Sequence, residues 1–181
     1  MRLFHGRDRD RPVPLDAAFE RYYRAIFRYF RFHGADADTA NDLASSTFER
    51  ALRNRARYDP HKAQVQTWLF AIARNLAINH WRSEAVRPVV ELEDEAVAPD
   101  EPAPEDALVF AEDRDDMLLA LQALDPRARE LIALKFGGPL TNRQIAGLTG
   151  LSEQNVGVIL YRSLLKLRRL LTADEEAPHG R

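Results

Sequence analysis

An all-α fold, divided into two small helical domains by an acidic connector, is what this 181-residue sequence predicts. Three observations carry that expectation. Apolar residues recur three and four apart on both sides of the middle of the chain, as one face of a helix requires. The middle itself mixes Pro88, Pro99, Pro102 and Pro104 with a dense run of carboxylates. No stretch alternates apolar and polar residues as a half-buried strand would.

The first helix is expected from Leu15 to Phe32, where Phe19, Tyr22, Tyr23, Ile26, Phe27 and Phe30 share a face, Asp16 suits the first turn and Gly34 follows the end. A second stripe, Ala40, Leu43, Ala44, Thr47, Phe48, Ala51 and Leu52, has Asp36 or Asp38 as its cap. The loop Tyr58-Asp59-Pro60-His61 separates it from a third stripe, Trp68, Leu69, Ile72, Ala73, Leu76 and Ala77, because proline forbids one unbroken helix. Three helices with apolar faces make a self-contained bundle over 15–85, after an N-terminal extension of residues 1–14.

Residues 86–107 are expected to be a flexible linker, since low apolar content and high charge cannot offset the entropy of ordering. Helical periodicity resumes at Leu108 and runs through Leu118, Leu121 and Leu124. Asp125-Pro126 then opens a further helix with proline at a tolerated first-turn position, and Gly137-Gly138-Pro139 ends it. This second domain is read over 108–172, with a disordered tail at 173–181.

The charges are segregated in the same way. The formal net charge is only −2, yet residues 86–116 carry 12 acidic and 2 basic groups, while 15–85 and 117–171 are each net basic. Such asymmetry points to a nucleic-acid partner and an acidic tether. The absence of cysteine excludes a disulfide scaffold, a thiolate zinc site and a cysteine nucleophile, and suits a cytoplasmic protein. The longest apolar run, Trp68 to Ala73, is far shorter than the roughly 20 residues of a membrane span, and the first residues do not read as a signal peptide. His5, His33, His61, His80 and His179 have no metal-ligand spacing and no glycine-rich phosphate loop is present, so neither catalysis, metal nor cofactor is expected.

Residues 142–161 carry the most information. Two helices crossing steeply need a small residue at the contact, a left-handed turn residue, and branched apolar residues to lock the second helix down. Ala146, Gly150, Val156 and Ile159 stand in those places, Ile145 and Leu151 complete the core, and Ser152 caps the second helix. This is a helix-turn-helix, whose second helix would enter the major groove. Its groove-facing positions are Ser152, Glu153, Gln154, Asn155, Gly157, Val158 and Tyr161, with Arg162 at the edge and Arg143 and Lys166 as further cations. Gln and Asn pair bidentately with adenine, and Arg with guanine or phosphate. Gly157 is read either as permitting close backbone approach to DNA or as merely tolerated.

Two separated stretches resemble one family. Asp42 to Leu52, then Thr67 to Asn79, resemble region two of bacterial sigma factors of the extracytoplasmic-function group. Leu124-Asp125-Pro126-Arg127-Ala128-Arg129-Glu130 with the helix-turn-helix resembles region four. The resemblance implies an RNA polymerase subunit that directs transcription initiation. It implies that Asp42, Leu43, Thr47 and Phe48 contact core polymerase, that Trp68, Arg74, Asn75, Asn79 and Arg82 engage the minus-ten element, and that the loop Asp59 to Gln66 captures an extruded base. Arg143, Ser152, Gln154, Asn155, Tyr161, Arg162 and Lys166 then address the minus-thirty-five element. The chemistry of the minus-ten set agrees: indole stacks on an exposed base, Asn reads base edges and Arg holds phosphate. Trp68 also suits a core aromatic, and Ser45 and Ser46 depart from the longer polar residues of the family. The implied partners are core polymerase, promoter DNA and an anti-sigma protein, with a monomer as the free form. A free-standing helix-turn-helix regulator is the alternative.

Overall fold

The computed structural model describes residues 15–86 and 116–175. The N-terminal extension, the acidic connector, the expected start of the second domain at 108–115 and the tail beyond Glu175 lie outside them. Among the described residues all regular structure is helical. Helices α1 (Leu15–His33), α2 (Ala37–Arg53) and α3 (Val65–Val86) form the first group; α4 (residues 116–122), α5 (Pro126–Ile132), α6 (Asn142–Thr149) and α7 (Glu153–Glu175) form the second. Helix α7 thus runs three residues into the segment read as a tail.

Local chemistry sets the helix ends. Asp36, not Asp38, is the N-cap of α2: its carboxylate accepts from the Thr39 N–H at 2.7 Å and the Thr39 hydroxyl at 3.0 Å. Those bonds hold its pKa below 3.8. The loop after α2 contains one short 3-10 turn, Arg55–Arg57, and the Tyr58 hydroxyl donates to the Ala63 carbonyl at 3.1 Å, closing the loop on itself. Gln66 lies in the first turn of α3 rather than in that loop. Asp125 caps α5 through the Ala128 N–H, with Pro126 in the first turn as its lack of a donor allows.

Helix α5 does not stop at Ile132. It widens into a π-turn over Ala133–Gly137, in which the Gly138 N–H reaches back five residues to the Ala133 carbonyl at 2.9 Å. The two glycines of this turn are placed against the first helix group. A Cβ on Gly137 would stand 2.8 Å from the Tyr29 Cα in α1, and one on Gly138 would stand 2.6 Å from the Phe70 ring in α3. The turn fits only because both side chains are hydrogen.

The hydrophobic core is continuous through both helix groups. Ile26, Tyr29, Phe30, Leu69 and Phe70 from the first join Leu121, Leu131, Leu134, Leu140, Ile145 and Val156 from the second, all at most 1% exposed. The expected bundle α1–α3 is present, and the π-turn is packed into it. Polar contacts stitch the same seam. The Arg28 guanidinium donates to the Gly137 carbonyl at 3.3 Å, the Gln66 amide donates to the Gly138 carbonyl at 3.0 Å, and Arg74 meets Glu130 at 2.7 Å.

Candidate nucleic-acid interface

On α3, Trp68, Asn75, Asn79 and Arg82 are spaced 7, 4 and 3 residues apart and so lie on one face of the helix. Asn75, Asn79 and Arg82 are exposed. Trp68 is half-buried, with its ring centroid 4.9 Å from that of Tyr58. The indole is therefore held against the loop by a second aromatic at the end of the face that carries the asparagines. Arg74, the fifth residue of the minus-ten set, is one position out of register with them. Its side chain is 22% exposed and paired with Glu130, which is 15% exposed. The structure brings four of the five together and places the fifth at the seam.

The α2 set is split in a similar way. Thr47 is fully buried and its hydroxyl donates to the Leu43 carbonyl at 2.8 Å. Phe48 sits in an aromatic cluster, 4.8 Å from Phe19 and 6.0 Å from Tyr23 between centroids. Leu43 is half-buried, and Asp42 alone of the four is exposed. The solvent face of α2 is instead Asp42, Ser45, Glu49 and Leu52, with Leu52 61% exposed. Leu52 belongs to this face by spacing of 3 and 4, a signal hidden in the sequence because leucine counts as core in any periodicity.

The helix-turn-helix has the expected joints. Thr141 and Gln144 form a reciprocal capping box at the start of α6, Gly150 turns the chain with φ of 74°, and the Ser152 hydroxyl accepts from the Asn155 N–H at 3.2 Å to start α7. Ile145 and Val156 are fully buried, which fixes the rotation of α7. Gln154, Asn155, Val158, Tyr161 and Arg162 consequently face solvent together, Tyr161 being 66% exposed, with Arg143 and Ser152 exposed nearby. Lys166 is also exposed, but its ammonium donates to the Ala123 carbonyl at 2.7 Å and so caps the end of α4. Arg162 and Lys166 share with Arg127 a cavity of about 260 Å³, also lined by Leu124, Asp125 and Ile159. Arg127 is a cation that the sequence reading did not single out.

Gly157 can be settled in part. A Cβ there would find its nearest neighbour, the Asn142 amide nitrogen, at 3.7 Å, an ordinary contact. Nothing inside the protein requires glycine. Gly157→Ala is accordingly expected to stabilise the fold by about 0.5–1 kcal/mol through helix propensity, measured by chemical denaturation. Promoter binding that falls while stability rises would assign the glycine to close approach of DNA.

Among the described residues no group of three His, Cys, Asp or Glu could hold a metal ion, and no helix is long and apolar enough to cross a membrane. Fold and surface together define an all-α protein with two exposed polar helix faces, one on the last helix of a three-helix bundle and one on the second helix of a helix-turn-helix. The sequence matches the family models Sigma-70 region 2 over residues 18–87 and Sigma-70, region 4 over 114–167. It is 31% identical over 153 residues to the ECF RNA polymerase sigma factor RpoE of Cereibacter sphaeroides, covering 84% of this chain and 81% of that protein. It is also 31% identical over 157 residues to the ECF RNA polymerase sigma factor BldN of Streptomyces coelicolor, of which it spans 60% while 86% of this chain is matched. Among solved structures, the sigma factor RpoE of Bartonella quintana in complex with the anti-sigma factor NepR has the same fold, with TM-score 0.68, 21% identity and coverage of 88% and 97% of the two chains. CnrH in complex with the cytosolic domain of CnrY matches with TM-score 0.64, 23% identity and 88% coverage of each chain. The chain belongs to the extracytoplasmic-function group of the sigma-70 family of RNA polymerase sigma factors.

Proposed function

We propose that this sigma factor binds core RNA polymerase, reads the minus-ten element with α3 and the minus-thirty-five element with α7, and so directs promoter-specific initiation. The observation that carries the reading is the pair of exposed polar faces on one chain: Asn75, Asn79 and Arg82 beside Trp68, and Gln154, Asn155 and Arg162 beside Tyr161. On the first, the indole stacks on a base where duplex opens, the asparagines address base edges, and Arg82 holds phosphate. On the second, the amides face the major groove and Arg162 and Arg143 hold its rim. The α2 face centred on Asp42 and Leu52 is the surface for core polymerase, a soft apolar contact with an acidic margin. The protein acts as a monomer in the cytoplasm, without catalysis or cofactor of its own, and is held in check by an anti-sigma protein, as the complexes with NepR and CnrY suggest for the fold. A free-standing regulator would have no use for the region-two bundle, and is not favoured.

The test is run-off transcription with purified core polymerase over a promoter library, together with co-purification of core. Failure to bind core overturns the proposal. Within it, Arg162→Ala is expected to weaken promoter binding and to lower the slope of log affinity against log salt by about one. An unchanged slope would remove Arg162 from the DNA.

A further inference from the structure

With α7 in the major groove, which rests on the function proposed above, the surface that this helix brings to the base pairs is largely apolar. Gln154, Val158, Tyr161 and Leu165 follow one another at spacings of 4, 3 and 4 and so form one straight ridge. It lies opposite the buried ridge of Val156, Leu160, Ser163 and Leu167, which repeats the same spacing two residues on, or about 200° around the helix. Val158 and Leu165 are each 40% exposed and Tyr161 is 66% exposed, and none of the three belongs to the hydrophobic core. Single apolar residues on a surface need no explanation, whereas three in line mark a contact.

The chemistry of the ridge narrows what it touches. From Glu153 to Tyr161 there is no Lys or Arg, so this stretch lacks the side chains that bind guanine O6 and N7 bidentately. Gln154 and its neighbour Asn155 suit adenine, and the apolar side chains that follow suit the C5 methyl of thymine, which projects into the major groove. Both preferences are met by the A·T base pair, in which adenine offers its edge to an amide and its partner presents a methyl. From Val158 to Leu165 the ridge covers about 10 Å, or about three base pairs at the roughly 3.4 Å rise of duplex DNA. Gly157, which nothing inside the protein requires, leaves no side chain beside Val158 to hold the ridge away from the bases. The cations Arg143 and Arg162 stand off the ridge, where they meet phosphate.

We propose that Val158, Tyr161 and Leu165 are specificity-determining residues that recognise thymine methyl groups, so that α7 selects its minus-thirty-five element by apolar contacts as well as by hydrogen bonds.

Deoxyuridine in place of thymidine is a direct test, since it keeps every hydrogen bond of the base pair and removes only the methyl. Promoters recovered from the run-off library would carry this change at each thymidine of the minus-thirty-five element in turn, and would be bound by holoenzyme assembled from core polymerase and the full chain. Loss of one contacted methyl is expected to weaken binding about three- to fourfold. Loss of two or three should cost about tenfold or more, and the same change between the two elements should cost nothing. Val158→Ser, Tyr161→Ser and Leu165→Gln alter exposed side chains outside the core. Each should bind the thymine promoter more weakly and lose its sensitivity to uracil at one position, as coupled partners do in a double-mutant cycle. A parent holoenzyme that binds thymine and uracil promoters alike overturns the proposal, as does a sensitivity that survives in all three variants. Variants that keep promoter binding but lose self-association or core binding would show that the ridge docks protein, and overturn it as well. Holoenzyme that initiates at its promoters yet ignores the methyls leaves the functional reading in place. If no promoter is found, that reading falls, and selection of duplexes by the full chain from random pools made with thymine or with uracil still decides whether methyls are read.

Discussion

Replacing Phe70 by alanine is expected to destabilise the protein by about 3–5 kcal/mol, the range for deleting a fully buried aromatic ring. The ring is 0% exposed and stands edge-on to Tyr29, with centroids 5.7 Å apart. It also fills the place where a side chain at Gly138 would be. Its loss leaves a cavity bounded by α1 on one side and by the π-turn on the other. Neither wall can collapse inward easily, because the turn is already at backbone contact with Tyr29. Chemical denaturation measures the cost. Trp68→Ala, two residues away, is the natural comparison: its half-buried ring packs on Tyr58, and its removal is expected to impair promoter opening more than stability. A cost below about 1 kcal/mol for Phe70→Ala would contradict a core continuous between the helix groups.

That contrast shows what the sequence makes legible. The three-helix bundle, the Asp125-Pro126 helix start, the left-handed Gly150 and the Ser152 cap all follow from local signals: periodicity of apolar residues, side chains able to cap, and a residue tolerant of positive φ. So does the register of α7, whose residue Val156 packs on Ile145 of α6 in the pattern of a helix-turn-helix core. The seam could not be read in this way. Gly137 and Gly138 look like a helix terminator in the sequence, and terminate one they do, but their tighter constraint comes from Tyr29 and Phe70, more than 60 residues earlier. Glu130 looks like an ordinary surface carboxylate on a short helix, and its partner Arg74 lies 56 positions away. Nothing in either neighbourhood encodes the pairing.

The functional set divides along the same line. Asn75, Asn79 and Arg82 share one exposed face of α3, as their spacing requires, while the role expected of them comes from the resemblance to the family. The availability of other residues depends on what their side chains already meet. Thr47 spends its hydroxyl on its own helix, Phe48 is enclosed by Phe19 and Tyr23, and Lys166 caps α4. In each case the side chain is already engaged within the protein, as the place of Thr47 and Phe48 in the apolar stripe of α2 allows, and the exposed surface passes to neighbours such as Leu52 and Arg127.

A buried titrating group stands at the end of α1, and acid is expected to cost this protein stability well before its carboxylates protonate. His33, at the end of α1, stacks on Trp81 with ring centroids 4.2 Å apart, and its Nδ1 is buried without a hydrogen-bond partner. Burial is the main cause that lowers its pKa from 6.5 to about 4, and the nearby cations Arg129 and Arg74 add to it. Above pH 6.5 the ring is neutral whether the chain is folded or not, and its titration contributes nothing. Between pH 6.5 and 4 the unfolded chain binds a proton that the folded chain refuses, so stability falls as pH falls, by roughly 3 kcal/mol once pH 4 is reached. The Asp36 cap acts lower: its pKa is depressed by the Thr39 N–H, so its stabilisation is present above pH 3.8 and is lost on further acidification. The two windows are therefore separable. His33→Phe keeps the stack on Trp81 and removes the unpartnered nitrogen, and should flatten the denaturation free energy between pH 6.5 and 4 while leaving the loss below pH 4 in place. A variant that keeps the full slope through that window would show that the acid sensitivity arises elsewhere than at His33.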